Sequence, residues 1–289
     1  MKDLKEILID VDARKVAIGH FNISDLGTFK GITSAAQGLG LPVLIGVSEG
    51  ERDFIGVRAA VAIVRSYREQ YGLPVYINAD HTHSLDKVKE AAEAGFDEIL
   101  FDGSALDFEE NIKETKEAVR IVRSIDPKIV VEGEIGYIGS SSEIIENRPE
   151  ASLKLSTPEE AMRFVKETGI DVLAPAVGNM HGLLKEMVAG EAHKRLDIGL
   201  IGEIKRACGV FMTLHGGSAT ADEDFVSAIS SGMDIVHISS ELRLAWRRGV
   251  EKDLHDKLEE IAPYKLMSTA TTNIRDIVVD RLRLFNGLG

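Results

Sequence analysis

The sequence predicts an α/β fold, a closed (β/α)8 barrel of the TIM type with extra helices at its C-terminal end. Three observations carry this expectation. Eight short apolar, β-branched runs recur along the 289 residues, stretches of helical periodicity separate them, and no linker or low-complexity tract divides the chain. Strands that alternate with helices imply right-handed βαβ units and a parallel sheet. Eight such units in a chain of this length point to closure rather than an open sheet, so residues 1–289 read as a single barrel domain.

The eight runs are KVAIGHFN (15–22), PVLIGVS (42–48), PVYINAD (74–80), EILFDG (98–103), IVVEGEIG (129–136), VLAPAVG (172–178), FMTLHGG (211–217) and DIVHISS (234–240). The segments between them carry helix grammar. In SLDKVKEAAEAG, Ser84 is an N-cap, Leu85, Val88 and Ala92 share a face, and Gly95 is the stop. In STPEEAMRFVKETG, Ser156 with Glu159 forms a capping box and Gly169 ends the helix. Two connections are long, roughly 137–155 after the fifth strand and 182–197 after the sixth, and long loops in a compact barrel are usually functional.

Composition narrows the function. A net charge of −13 argues against a nucleic-acid binder, which needs a basic footprint, but leaves room for an anionic small substrate held by local positive potential. No apolar run is long enough to span a membrane, and the charged N-terminus lacks a signal-peptide core. The single cysteine, Cys208, excludes an intramolecular disulfide and suits a reducing, cytoplasmic setting; at an apparent helix end it reads as packing.

Active sites of such barrels lie at the C-terminal ends of the strands. His81 and His83 follow the third strand, His181 the sixth, His215 ends the seventh and His237 lies in the eighth, so five of eight histidines gather at or near one rim. His20 sits late in the first strand, while His193 and His255 read as surface residues. Three neutral imidazoles with an open position make a site where a divalent metal acts as a Lewis acid. The His81-x-His83 pair also resembles the His-x-His of metal-dependent amidohydrolases, although that motif belongs on a first strand. Asp102, Glu132 and Glu134 are interior carboxylates that need a cation or donors; they serve as supports of metal ligands, or else pair with an interior Lys or Arg. HGGSA and HISSE close the last two strands, where backbone N–H groups at Gly216, Gly217, Ser218, Ser239 and Ser240 are placed to cradle a phosphate.

Taken in order, these segments resemble the class II, metal-dependent fructose-bisphosphate/tagatose-bisphosphate aldolases. GHFNISDL is similar to the family's opening strand, GVSEG to its second, NADHTHSLDKV to its Asp-His segment and FDGSALDFEENIKETKEAV to its fourth unit. VEGEIGYIG resembles the fifth strand and following loop, and VGNMHGLLK and LHGGSATADEDF the segments of the remaining ligand histidines. The resemblance implies His81, His181 and His215 as metal ligands and Asp80 as the acid–base residue, with His83 a neighbour. It implies Gly182, Gly216 and Ser218 as phosphate contacts, and Asn22 and Ser48 as substrate-facing. Asp102 and Glu134 fall where a secondary metal or ligand support is associated. The implied cofactor is zinc, with another divalent ion as alternative and a monovalent cation as a further occupant. The implied partner is a phosphorylated sugar, and the implied assembly a homodimer or homotetramer.

The implied activity is reversible cleavage of fructose 1,6-bisphosphate to dihydroxyacetone phosphate and glyceraldehyde 3-phosphate, a glycolytic reaction. The alternatives are cleavage of tagatose bisphosphate or another ketose 1-phosphate, a barrel metallohydrolase that activates water, and a barrel without catalysis. Three departures bear on the substrate. Asn78 and Thr82 stand where the family usually has His and Gly, His237 stands where it has Asn, and Ala262–Lys265 (APYK) replaces its Asp-Pro-Arg.

Overall fold

The structure, a computed structural model, describes residues 2–139, 143–147 and 154–288. All eight expected strands form, and they close on themselves. In chain order the barrel staves are β1 (Ile18–Asn22), β2 (Val43–Val47), β3 (Val75–Thr82), β4 (Glu98–Phe101), β5 (Val130–Ile135), β7 (Val172–Pro175), β9 (Phe211–Leu214) and β10 (Ile235–Ile238). Every neighbouring pair is parallel, and the ring is shut by β1 against β10, with Ile18 opposite Ile235 and His20 opposite His237.

Between the staves run α2 (Leu26–Leu39), α3 (Glu49–Ile55), α4 (Val57–Tyr71), α5 (Leu85–Ala94), α6 (Phe108–Ile125), α7 (Pro158–Thr168), α9 (Ile198–Cys208) and α10 (Asp222–Ser231). The main core lies between strands and helices, where Phe21, Ile32, Ile77, Phe164, Met212 and Phe225 are fully enclosed. A second cluster fills the barrel floor. There α1 (Leu4–Arg14), started by an Asp3–Glu6 capping box, packs Leu4, Ile7, Leu8 and Val11 against Ile18, Leu44, Tyr76, Val130, Val172 and Ile235 at the strand beginnings. With the floor plugged, the opposite mouth is the open end.

Helix ends follow side-chain chemistry. Ser84 caps α5 by accepting from the Lys87 amide, and Gly95 and Gly169 close α5 and α7 in left-handed conformation. The α7 cap differs by one residue from expectation: Thr157 with Glu160 forms the capping box, rather than Ser156 with Glu159. Ser156 is drawn inward instead. Its hydroxyl donates to Ile135 O at 3.0 Å and accepts from the Ala176 amide at 2.9 Å, tying the ends of β5 and β7 together. Cys208 ends α9 half-buried against the core, and burial pushes its thiol pKa up, in keeping with packing.

The two long connections meet. A two-residue strand in each, β6 (Ile144–Ile145) and β8 (Leu183–Leu184), pairs in parallel above the mouth, with α8 (Lys185–Val188) directly after. The extra C-terminal helices are α11 (Ser240–Asp256), α12 (Pro263–Leu266) and α13 (Ser268–Phe285). α13 buries Ala270, Ile274, Val278, Leu282 and Phe285 beside α2 and α11. Gly249 lets α11 approach so closely that an added Cβ would lie 2.4 Å from the Ala270 backbone. Among the described residues no helix is long and apolar enough to cross a membrane.

Candidate active site

The mouth of the barrel holds a cavity of about 410 Å³, lined among others by Asn22, Ser48, Asp80, His81, His181, Gly216, Ser218, His237, Ser239 and Ser240. The end of β3 explains how two adjacent residues both serve it. Regular strands send neighbouring side chains to opposite faces, but the β3–β4 register shifts between Ala79 and Thr82, and His81 takes a positive φ of 42°. Asp80 and His81 thereby reach the same cavity.

His81, His181 and His215 each offer a ring nitrogen, all within 4.8 Å of one another. The partners select which nitrogen. His81 Nδ1 lies 2.7 Å from Asp102 Oδ2, which leaves Nε2 for the cavity. His215 Nε2 lies 2.7 Å from Glu132 Oε1, which leaves Nδ1. His215 Nδ1 and His181 Nε2 are buried with no hydrogen-bond partner. Unsatisfied buried nitrogens are costly, and two beside a third imidazole fit a cation with nitrogen preference.

Charge is arranged to match. Burial drives His215 down to about 3, assisted by the charge on His81, and drives His181 well below its ordinary value, so both are neutral lone-pair donors. His81 moves the other way. Burial opposes its charge, but Asp80, the bond to Asp102, and Glu134 push it up to about 10. Burial raises Glu132 and Glu134 well above the usual carboxyl range, with other carboxylates reinforcing the rise.

Asp80 is enclosed and ionised. Burial favours its neutral form, but His81, His20, His215 and the Asn22 amide together hold it well below the usual carboxylate range. Asn22 Nδ2 donates to Asp80 Oδ2 at 2.9 Å and to Glu51 Oε2 at 3.1 Å. Asp80 Oδ1 has no hydrogen-bond partner and lies 3.7 Å from His81 Nε2 and 3.8 Å from His237 Nδ1.

A second trio, His20, Asp80 and His237, also clusters. The two rings are stacked, with centroids 3.4 Å apart and planes 5° from parallel. Imidazole lone pairs lie in the ring plane, so an ion shared by these rings would sit off both planes. The stack is a packing arrangement, and the three-histidine group is the better cation site.

Past the ends of β9 and β10, Gly216, Ser218, Ser239 and Ser240 reach the cavity. Ser239, the N-cap of α11, makes no side-chain cap hydrogen bond, and its buried hydroxyl is unpartnered. Its amide and that of Glu241, however, donate to Ser218 Oγ at 3.3 Å, so the Ser239 N–H expected to meet a phosphate is engaged within the protein. Gly217 requires correction, because its amide donates to His237 O at 3.1 Å and is not offered to a ligand. Gly182, at φ 77°, is buried and does not line the cavity. His83 stands exposed at the rim with Nδ1 3.3 Å from Asp102 O.

Several contributors carried no sequence pattern. Arg52 is fully buried and donates to Val47 O (2.6 Å), Asp80 O (3.0 Å) and Thr82 Oγ1 (3.0 Å), which gives Thr82 its use. Asn78 donates to Glu98 Oε2 at 2.8 Å and sits 3.4 Å from His20 Nε2. Arg243 lines the cavity and pairs with Glu51 at 2.8 Å. None of Ala262–Lys265 lines it; Tyr264 is exposed and Lys265 pairs with Glu260.

Barrels serve unrelated chemistries, so the fold alone does not name a reaction. An imidazole cluster shaped for a cation, with an ionised carboxylate alongside, places this one among metal-dependent barrel enzymes. The chain belongs to the family of class II fructose-bisphosphate aldolases, whose sequence pattern matches residues 2–289. It is 32% identical to the fructose-bisphosphate aldolase of Staphylococcus aureus, over 98% of this chain and 96% of that one. To the fructose-bisphosphate aldolase of Geobacillus stearothermophilus it is 31% identical, over 99% and 97%. The crystal structure of the YdjI aldolase of Escherichia coli K12 superposes with a TM-score of 0.82 at 26% identity, covering 99% of this chain and 98% of that one. This is a class II aldolase, a lyase of a metal-dependent family.

Proposed function

We propose that His81, His181 and His215 hold one zinc ion and that the enzyme reversibly cleaves fructose 1,6-bisphosphate to dihydroxyacetone phosphate and glyceraldehyde 3-phosphate. The observation that carries this reading is the pair of buried, unpartnered nitrogens, His181 Nε2 and His215 Nδ1, beside His81. Zinc bound there supplies Lewis acidity to the ketone carbonyl. Burial favours the protonated form of Glu132, but a cation held beside it would favour its carboxylate, which would then accept the Nε2 proton of His215 and leave Nδ1 unprotonated. Asp102, already held ionised, accepts the Nδ1 proton of His81 and leaves Nε2. Glu134, near His81, supports this arrangement.

Asp80 Oδ1 accepts the C4 hydroxyl proton as the C3–C4 bond breaks, while Asn22 holds Oδ2 and fixes the carboxylate plane. The released electron pair moves from C3–C4 toward the C2 carbonyl. C3 then takes a proton, for which Glu143, on the β5 connection and lining the cavity, is the assigned donor. Gly216, Ser218, the unpartnered hydroxyl of Ser239 and Ser240 bind the ketone-side phosphate. Arg243 offers the cavity a guanidinium for the aldehyde half.

A second reading, cleavage of a ketose 1-phosphate without the distal phosphate, is favoured by the position of Ala262–Lys265 outside the cavity. Two or four identical copies and a cytoplasmic location complete the proposal. Dihydroxyacetone phosphate release from fructose and tagatose bisphosphates and from ketose 1-phosphates, with and without chelator, tests it. Turnover unaffected by verified metal removal rejects the metal mechanism, and a kcat/KM favouring ketose 1-phosphates selects the second reading.

A further inference from the structure

Lys194 is 4% exposed, an unusual place for an ammonium, and it belongs to no pattern in the sequence. Its Nζ donates to Met180 O at 2.7 Å and to Gly216 O at 2.9 Å. Met180 directly precedes His181, and Gly216 directly follows His215. One charged group therefore grips the backbone next to two of the three clustered histidines. The segments it joins are in tight contact: a Cβ added to Gly216 would fall 2.3 Å from Met180 O. Two carbonyl oxygens turned toward one point repel, and a buried cation between them converts that repulsion into two charge-assisted hydrogen bonds. The Lys194 backbone adds to the grip, since its amide donates to Ala219 O at 2.8 Å and it bridges in parallel to Thr220.

We propose that Lys194 is a positioning residue that sets the separation of His181 and His215, and with it the affinity of the site for its metal. The inference rests on reading those histidines as ligands. It assigns Lys194 no contact with substrate. Loss of a group that orients a ligand typically costs 10- to 100-fold in metal affinity.

The test is metal affinity and geometry in the full-length protein. Lys194→Met keeps an unbranched chain, one atom shorter, and removes the charge; Lys194→Gln removes the charge and keeps a neutral N–H donor group. Both, with the parent and an exposed control, Arg195→Ala, are stripped and titrated with zinc against a competing chelator, and the visible spectrum of the cobalt-loaded form is recorded. The expected result is about 10- to 100-fold weaker zinc binding and an altered cobalt spectrum in Lys194→Met. Lys194→Gln should shift in the same direction by less, and Arg195→Ala should match the parent. Parent-like affinity and spectrum in a folded Lys194 variant overturn the proposal, as does failure of both variants to fold, which would assign Lys194 to folding alone. If the parent itself binds no stoichiometric metal, the ligand reading fails; if it binds and the variants bind equally, only the Lys194 inference fails.

Discussion

At the residue scale the site separates holding from reacting. Asp80 touches Asn22 through Oδ2 and presents an unpartnered Oδ1, whereas two of the three clustered imidazoles, His81 and His215, find their partners on Asp102 and Glu132. Replacing Asp80 should therefore impair proton transfer without dismantling the cation site. Asp80→Ala is expected to lower kcat by roughly 10²–10⁴, the range for losing a positioned acid–base group, while zinc stoichiometry stays at the parent value. Metal analysis alongside single-turnover kinetics checks both halves. Near-parent kcat in a fully loaded variant would move the proton transfer to another group.

Elements supply the next level of control, and one ion pair shows how. Asp234, just before β10, is nearly enclosed; it accepts from the Met212 amide on β9 and from Lys205 on α9, both at 2.8 Å. Burial raises its pKa to about 6 despite Lys205. The folded carboxyl thus holds its proton at pH values where the unfolded one has lost it, so between about pH 4 and 6 the folded state binds more protons. Its contribution to stability accordingly falls as pH rises through that window. Asp234→Asn removes the titration and keeps an acceptor for Met212. The stability difference, parent minus variant, should decline from pH 4 to pH 6 by up to about 2–3 kcal/mol, read from denaturant melts at matched salt. A flat difference across that range would show that Asp234 is ionised throughout.

The same scale shows what a sequence discloses. Parallel staves buried on both faces read as unbroken apolar runs, so all eight were visible with their order. The α7 start slipped by a residue because STPEE contains two overlapping boxes, and the choice fell to Ser156 being pulled between β5 and β7. The β6–β8 pair stayed hidden because two residues make no period. Histidines at strand ends announced a cluster of imidazoles, since the barrel fixes where strand ends converge. The partners did not announce themselves. His20 meets His237, Arg52 meets Thr82 and Lys194 meets Gly216 only after closure, and no local pattern encodes those encounters.

At the scale of the whole molecule, the three clustered histidines come from the end of β3, the connection after β7 and the end of β9, segments far apart in the chain. An ion that joins them is bound by the closed barrel and not by the unfolded chain. Binding to the folded state alone stabilises by RT ln(1 + [L]/Kd), about 2.7 kcal/mol at one hundred times Kd. For domains of roughly 150–250 residues each kcal/mol moves Tm by about 2–4 °C. This longer chain should therefore gain several degrees on zinc loading and lose them after chelation. The melting shift also distinguishes the ligands. His181→Ala should erase most of the zinc-dependent rise, while His83→Ala, altering a rim residue 56% exposed, should keep it. Scanning calorimetry of parent and variants, stripped and reloaded, reads both. A His181→Ala protein that still rises with zinc as the parent does would place the ion elsewhere, and a rise lost in His83→Ala would relocate it to the rim.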